Sequence, residues 1–187
     1  MSTREEIIDY EEHKEEIEKW INLKGELKYR RFLNLLKEKA VPVTWEVLKD
    51  TYRYDKRLLF NSFKYLSFFE EFLRAQLWNI GNATYETLEN NYFFNIMGTV
   101  LKNKHKIDYS DFSFEFLEQN KEKINYLRRR VAHNKIILEG DSKFSVDELL
   151  TAMYVTLPKS YQEGFKSAIT ECSFNLSVPE NIVVNLT

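Results

Sequence analysis

Apolar positions along this chain recur at three- and four-residue spacing, with polar side chains between them. This is the period of a helix that buries one face, not the two-residue alternation of a half-buried strand. Over residues 2–23 the stripe is Ile7, Ile8, Tyr10, Ile17, Trp20 and Ile21, with Thr3 and Glu6 spaced as a capping box and Gly25 as the stop. Leu27, Phe32, Leu33, Leu35 and Leu36 predict a second helix over residues 26–39, and Pro42 marks the turn after it. A short segment over residues 45–52 follows, and Asp55 is placed to cap the longest helix, which runs to Ile80 before Gly81. Leu59, Phe63, Leu66, Phe69 or Phe72, Leu73 and Leu77 give that helix a wide buried face and make it the central core helix.

The segment over residues 84–101 is less regular and ends in the polar connector KNKHK. Helical pattern resumes near Asp111, and Asn120 is placed to cap the run KEKINYLRRRVAHNKII, in which Ile124, Leu127 and Val131 form the buried side. Gly140 and Asp141 interrupt it. Ser145 and Glu148 form a capping box for a helix to Leu157, and Pro158 starts another that ends near Cys172. The last residues are β-prone around 182–184 without a partner strand, which leaves a docked extended tail or a dimer arm. The expected fold is all-α, a bundle of about six to eight helices around one long one. Its expected parts are an N-terminal helical hairpin (1–42), a helical bundle (43–174) and an extended C-terminal tail (175–187).

Composition supports this and narrows the functional classes. Five Gly and three Pro in 187 residues leave few turn makers, and 43% hydrophobic residues supply a core. With 14 Phe, 11 Tyr and 3 Trp, the helices pack through large rings rather than an alanine seam. A net charge of −2 lacks the bulk basicity of a general nucleic-acid binder, so any polyanion site must be local. The basic run around Lys24, Lys28, Arg30 and Arg31 reads as a solvated helix face. One cysteine, Cys172, forms no intrachain disulfide, no secretory leader is apparent, and Lys64, Glu70, Glu71 and Arg74 interrupt the aromatic stretch over residues 60–80. A cytoplasmic protein with no membrane span is expected. Neither HExxH nor CxxC spacing nor a glycine-rich phosphate loop occurs, so no metal and no cofactor are expected.

Chemistry concentrates in residues 127–134, LRRRVAHN. Arginine holds phosphate charge and histidine moves protons near neutral pH. Arg128 and His133 lie five positions apart, about 140° around a helix axis, so they do not share a face. Cooperation between them requires a distorted helix end or a groove completed by another helix or a second subunit. Upstream, Glu70 stands four residues before Arg74, the favourable order for an ion pair along a helix.

LRRRVAHN resembles the RxxxxH signature of the HEPN superfamily of small all-α proteins, and is most similar to its Abi-like, abortive-infection branch. FEEFLRAQL, around Glu70 and Arg74, looks like the Glu-Arg helix of that branch. The resemblance covers roughly residues 52–157. It implies a homodimer whose two motifs face a shared cleft, with metal-independent endoribonuclease activity that leaves 2′,3′-cyclic phosphates. The implied roles are Arg128 and His133 as catalytic residues, Arg129, Arg130 and Asn134 as substrate contacts, and Glu70 and Arg74 as supporting residues. RNA is the implied substrate, the cell role a bacterial toxin or anti-phage effector, and an antitoxin or defence-system partner is a further possibility. The family carries Asn, Asp or His directly after the motif arginine, where this chain has Arg129, which adds positive charge beside the site. Lys135 stands where the branch paired with nucleotidyltransferase antitoxins has tyrosine. The alternative is a non-catalytic helical module that binds RNA or protein through an electrostatic patch at Arg128–Arg130, its cations collected by the helix dipole.

Overall fold

The computed structural model describes residues 3–81, 92–140 and 143–186, and every regular element among them is helical. Seven α-helices occur among these residues: α1 (Tyr10–Lys24), α2 (Glu26–Glu38), α3 (Trp45–Asn79), α4 (Phe93–Lys102), α5 (Phe114–Ala132), α6 (Val146–Thr156) and α7 (Lys159–Thr170). The all-α expectation and its one long helix hold. Residues 84–91 of the irregular segment, and Asp141, lie outside the described residues.

The chain packs as two compact units, Met1–Arg57 with Glu171–Val184, and Leu58–Thr170 with Asn185–Thr187. This division runs through α3, whereas the boundaries expected from the sequence were 42/43 and 174/175. No Gly or Pro interrupts residues 44–79, so nothing stops the helix and no linker composition marks the passage from one unit to the other. For the same reason Asp55 caps nothing: it lies inside the 35-residue α3 and is fully buried.

In the first unit, Ile17, Phe32, Leu36, Trp45 and Leu48 form a core, and Tyr29 packs against Tyr52 with ring centroids 5.6 Å apart. The chain starts as a 3-10 turn, Thr3–Glu6, and α1 begins only at Tyr10. The cause is tertiary: Ile8 N–H donates to Val43 O at 3.0 Å, and Asp9 Oδ1 accepts from Trp45 N–H at 2.7 Å, which caps α3 from a distance. The C-terminal segment is docked, and among the described residues it contains no strand. Ile182 and Val184 are buried, Ser177 N–H donates to Asp50 Oδ2 at 2.9 Å, and Val184 N–H donates to Tyr54 Oη at 2.8 Å.

In the second unit, α5 packs chiefly against α6 and also against α4. Leu66, Phe69, Leu73 and Leu77 of α3, Ile124 and Leu127 of α5, and Leu149 and Met153 of α6 are buried. Ser113 begins α5, its Oγ accepting from Phe116 N–H at 3.3 Å, whereas Asn120 lies in the helix interior and donates to Phe116 O. The capping box at the start of α6 forms as expected, with Ser145 N–H on Glu148 at 2.8 Å and Glu148 N–H on Ser145 Oγ at 3.2 Å.

The first turn of the chain is tied by charge. Arg4 Nε and Nη2 donate to the two oxygens of Glu18 at 2.5 and 2.9 Å, and Tyr10 Oη donates to the same carboxylate at 2.9 Å. These partners hold Glu18 down to about 2. A carboxylate whose folded value is lowered adds stability that is complete above its unfolded value, about 4.3, and is lost as pH falls toward 2. The gap in urea midpoint between wild type and Glu18→Gln should therefore be constant from pH 7 to 5 and close between pH 4.3 and 2. With both side chains about one-third exposed, the gap should correspond to less than about 1 kcal/mol.

Candidate active site

The last turn of α5 ends in a defined cap. His133 N–H donates to Arg129 O at 3.1 Å, Asn134 N–H to Val131 O at 3.1 Å and Lys135 N–H to Arg130 O at 2.9 Å. This is the Schellman pattern, and it requires a left-handed residue after the helix. Asn134 supplies it with φ of 50°. The chain then turns back, burying Ile136, Ile137 and Leu138.

Arg130 holds this return in place. It is buried, and its guanidinium donates to Ile136 O, to Gly140 O at 2.7 Å and to Tyr126 Oη at 3.1 Å, with Glu139 at 3.5 Å. Gly140 has φ of 54°, and a Cβ there would stand 2.8 Å from Phe144 O, so glycine is required where the return closes.

The three consecutive arginines therefore diverge. Arg128 is half-buried and lines a cleft of about 80 Å³ with Phe63, Leu66, Ser67 and Glu70 of α3 and with Val131 and Ala132. Arg129 is exposed and lies in a different cleft, its guanidinium 5.8 Å from the Tyr126 ring centre. Arg130 points inward onto carbonyls. It is not available as the substrate contact that the sequence placed there, because its donors already satisfy backbone acceptors that would otherwise be buried unpaired. Asn134, another expected substrate contact, is exposed and sets the turn.

Within the Arg128 cleft, Glu70 Oε1 accepts from Arg74 Nη2 at 2.6 Å, so the expected pair forms along α3. Arg128 makes no ion pair with any described residue, and the His133 imidazole is exposed and makes no hydrogen bond among the described residues. The partial negative charge at the C-terminus of α5 favours the cations collected on its last turn without a carboxylate partner. Among the described residues no group of three His, Cys, Asp or Glu side chains is arranged to hold a metal ion.

No family model, curated protein or solved structure matches this chain. The chemistry of the site therefore rests on its own side chains. A half-buried guanidinium without an ion pair among the described residues can receive one tetrahedral anion, and an exposed imidazole just past the same helix can carry a proton. Periodicity missed Phe63 as part of this cleft: it counted as core, yet it is 58% exposed. The available signal was Phe60, three positions earlier on the same face and 76% exposed, because two large apolar residues there add to the core stripe and give α3 more apolar width than one core can cover.

The three arginines should separate in stability. Arg130→Ala should lower unfolding free energy by about 3 kcal/mol, since it leaves buried carbonyls without donors, while Arg129→Ala should stay within about 0.5 kcal/mol. Asn134→Gly should be neutral and Asn134→Val should cost more than about 1 kcal/mol, because only the former accepts positive φ. Urea denaturation followed by circular dichroism measures all four.

Proposed function

We propose that this protein is an HEPN-like, metal-independent endoribonuclease that acts as a homodimer in the cytoplasm of a bacterium, as a toxin or anti-phage effector. The observation that carries the proposal is Arg128, half-buried in a cleft and without an ion pair among the described residues, five positions before the exposed His133. On a regular helix these two residues stand about 140° and about 7.5 Å apart, so a single chain offers half a site. Phe63, exposed at this cleft, and Phe60, exposed three positions earlier on the same helix face, supply an apolar face for a second copy. An antitoxin or defence-system partner would act by covering this face.

The reaction needs no group beyond side chains. Neutral His133 accepts the proton of a ribose 2′-OH, and the 2′-oxygen attacks the adjacent phosphorus. Arg128 holds the phosphate oxygens as charge gathers on them. The bond from phosphorus to the 5′-oxygen breaks, and the leaving oxygen takes a proton from the protonated His133 of the partner subunit or from water. The products are a 2′,3′-cyclic phosphate and a 5′-hydroxyl. Glu70, held by Arg74, lines the same cleft without bonding to Arg128, which stays free for the phosphate.

Digestion of several single-stranded and structured RNAs in EDTA, with product ends analysed, checks this. Wild-type dimer should cleave, and both His133→Ala and Arg128→Ala should lose at least about 100-fold in rate with unchanged melting temperature. Phe63→Asp should shift the protein to monomer in light scattering and lose cleavage with it. Intact RNA after incubation with verified dimer would overturn the endoribonuclease proposal, and salt-sensitive RNA binding that survives His133→Ala would point to the non-catalytic module instead.

A further inference from the structure

The second cleft beside α5 has a composition that the nuclease chemistry does not use. It measures about 350 Å³, at the lower end of small-molecule sites, which run from about 300 Å³ upward, and three aromatic rings line it: Phe94 of α4, Tyr126 of α5 and Phe144. Each ring carries a cation near its centre, Lys121 Nζ at 5.7 Å from Phe94, Arg129 at 5.8 Å from Tyr126 and Lys143 Nζ at 5.0 Å from Phe144. Phe94 is 40% exposed, so ring surface is open to a ligand.

The charges around it are not equivalent. Lys143 and Glu122 pair at 3.0 Å with both side chains exposed, an arrangement that salt weakens. Arg129 makes no ion pair with any described residue, and its planar guanidinium presents both a stacking face and two donors in the plane of a phosphate. The side-chain amide of Asn125, half-buried in the wall, makes no hydrogen bond among the described residues and offers both a donor and an acceptor. Rings to stack on, an amide to read a base edge and a cation at the mouth are together the recognition chemistry of an unpaired nucleotide.

We infer that the cleft bounded by Phe94, Tyr126, Phe144 and Arg129 binds a nucleoside phosphate, with the base on the rings and the phosphate on Arg129. The inference rests on the ribonuclease proposal only in naming the source: an unstacked nucleotide of the RNA strand whose scissile phosphate lies at Arg128. Arg128 and Arg129 diverge by about 100° around α5, so a strand would cross the end of the helix to reach both clefts. A free nucleotide is the other source of the same chemistry.

The test is fluorescence anisotropy of a labelled 2′-O-methyl RNA strand, which has no 2′-hydroxyl and stays intact with the wild-type protein. Arg129→Ala should weaken binding about 10-fold and reduce the slope of log affinity against log salt by about 0.7. Phe94→Ala should weaken it about 10-fold, with recovery in Phe94→Trp, in line with one stacked base. A strand with the same phosphates but no bases should bind wild type at least about 10-fold more weakly; Phe94→Ala should leave that binding unchanged, and Arg129→Ala should reduce it only through the lost phosphate contact. A nucleoside monophosphate that displaces the strand from wild type but not from Arg129→Ala would identify the free nucleotide as a sufficient ligand. Equal binding of strands with and without bases, or unchanged binding in both variants, would overturn the inference and leave an electrostatic or protein-facing surface. RNA cleavage, assayed separately, keeps the two proposals apart: cleavage with base-independent binding sinks only the subsite, and base-dependent binding without cleavage sinks only the nuclease.

Discussion

The arrangement at the end of α5 depends on one buried cation. Arg130 stands where the helix stops and the chain must double back, and its guanidinium supplies donors to the carbonyls of Ile136 and Gly140 that the return leaves inside. Burying a charge is costly unless its donors are satisfied, and here backbone acceptors at close range do most of that work. Once this side chain is committed inward, helix geometry places its two predecessors. Arg129 and Arg128 are turned by about 100° and about 200° from it, which sends them to separate clefts. The divergence is a consequence of one buried hydrogen-bond network, not of three independent choices.

LRRRVAHN accordingly contains two interleaved sets of residues. Leu127, Arg130 and Val131 are buried and build the helix end, and Asn134 takes the left-handed turn that terminates it. Arg128 and Arg129 reach clefts, and His133 stands exposed at the cap. A cation-rich last turn closed by Asn is explained by capping and by the helix dipole alone. What those forces leave unexplained is Arg128, because a cation placed only to favour the dipole has no reason to sit half-buried beside Phe63 and Leu66.

Much of the fold was legible from periodicity and punctuation. The three-to-four spacing, the glycine after α1 and the Ser145–Glu148 box act locally, and local signals survive in a single sequence. Errors arose where a distant group decided. Asp9 ends the first turn by reaching Trp45, and no spacing within residues 2–23 reports that. Asp55 and Asn120 are good caps by type, but neither follows a breaker, and helix continued through both. Phe63 has core chemistry and core spacing, yet it is more than half exposed. The candidate site could be picked out as a motif, but its geometry could not be read, because the carbonyls that capture Arg130 carry no side-chain signature.

Under the proposed reaction, charge balance in the Arg128 cleft gives the ion pair along α3 a role beyond stability. Glu70 is the acidic side chain lining that cleft, and an uncommitted carboxylate there would compete with phosphate for Arg128. Arg74 holds it at 2.6 Å, one turn further along the same helix and only about a quarter exposed. The three groups together then carry a formal charge of +1, which a phosphodiester of charge −1 balances. Without Arg74 the pair Glu70 and Arg128 would be neutral, and an anion entering the cleft would meet no net attraction. A helix-surface pair of this kind contributes a few tenths of a kcal/mol to stability, so its larger effect falls on the electrostatics of the cleft it borders.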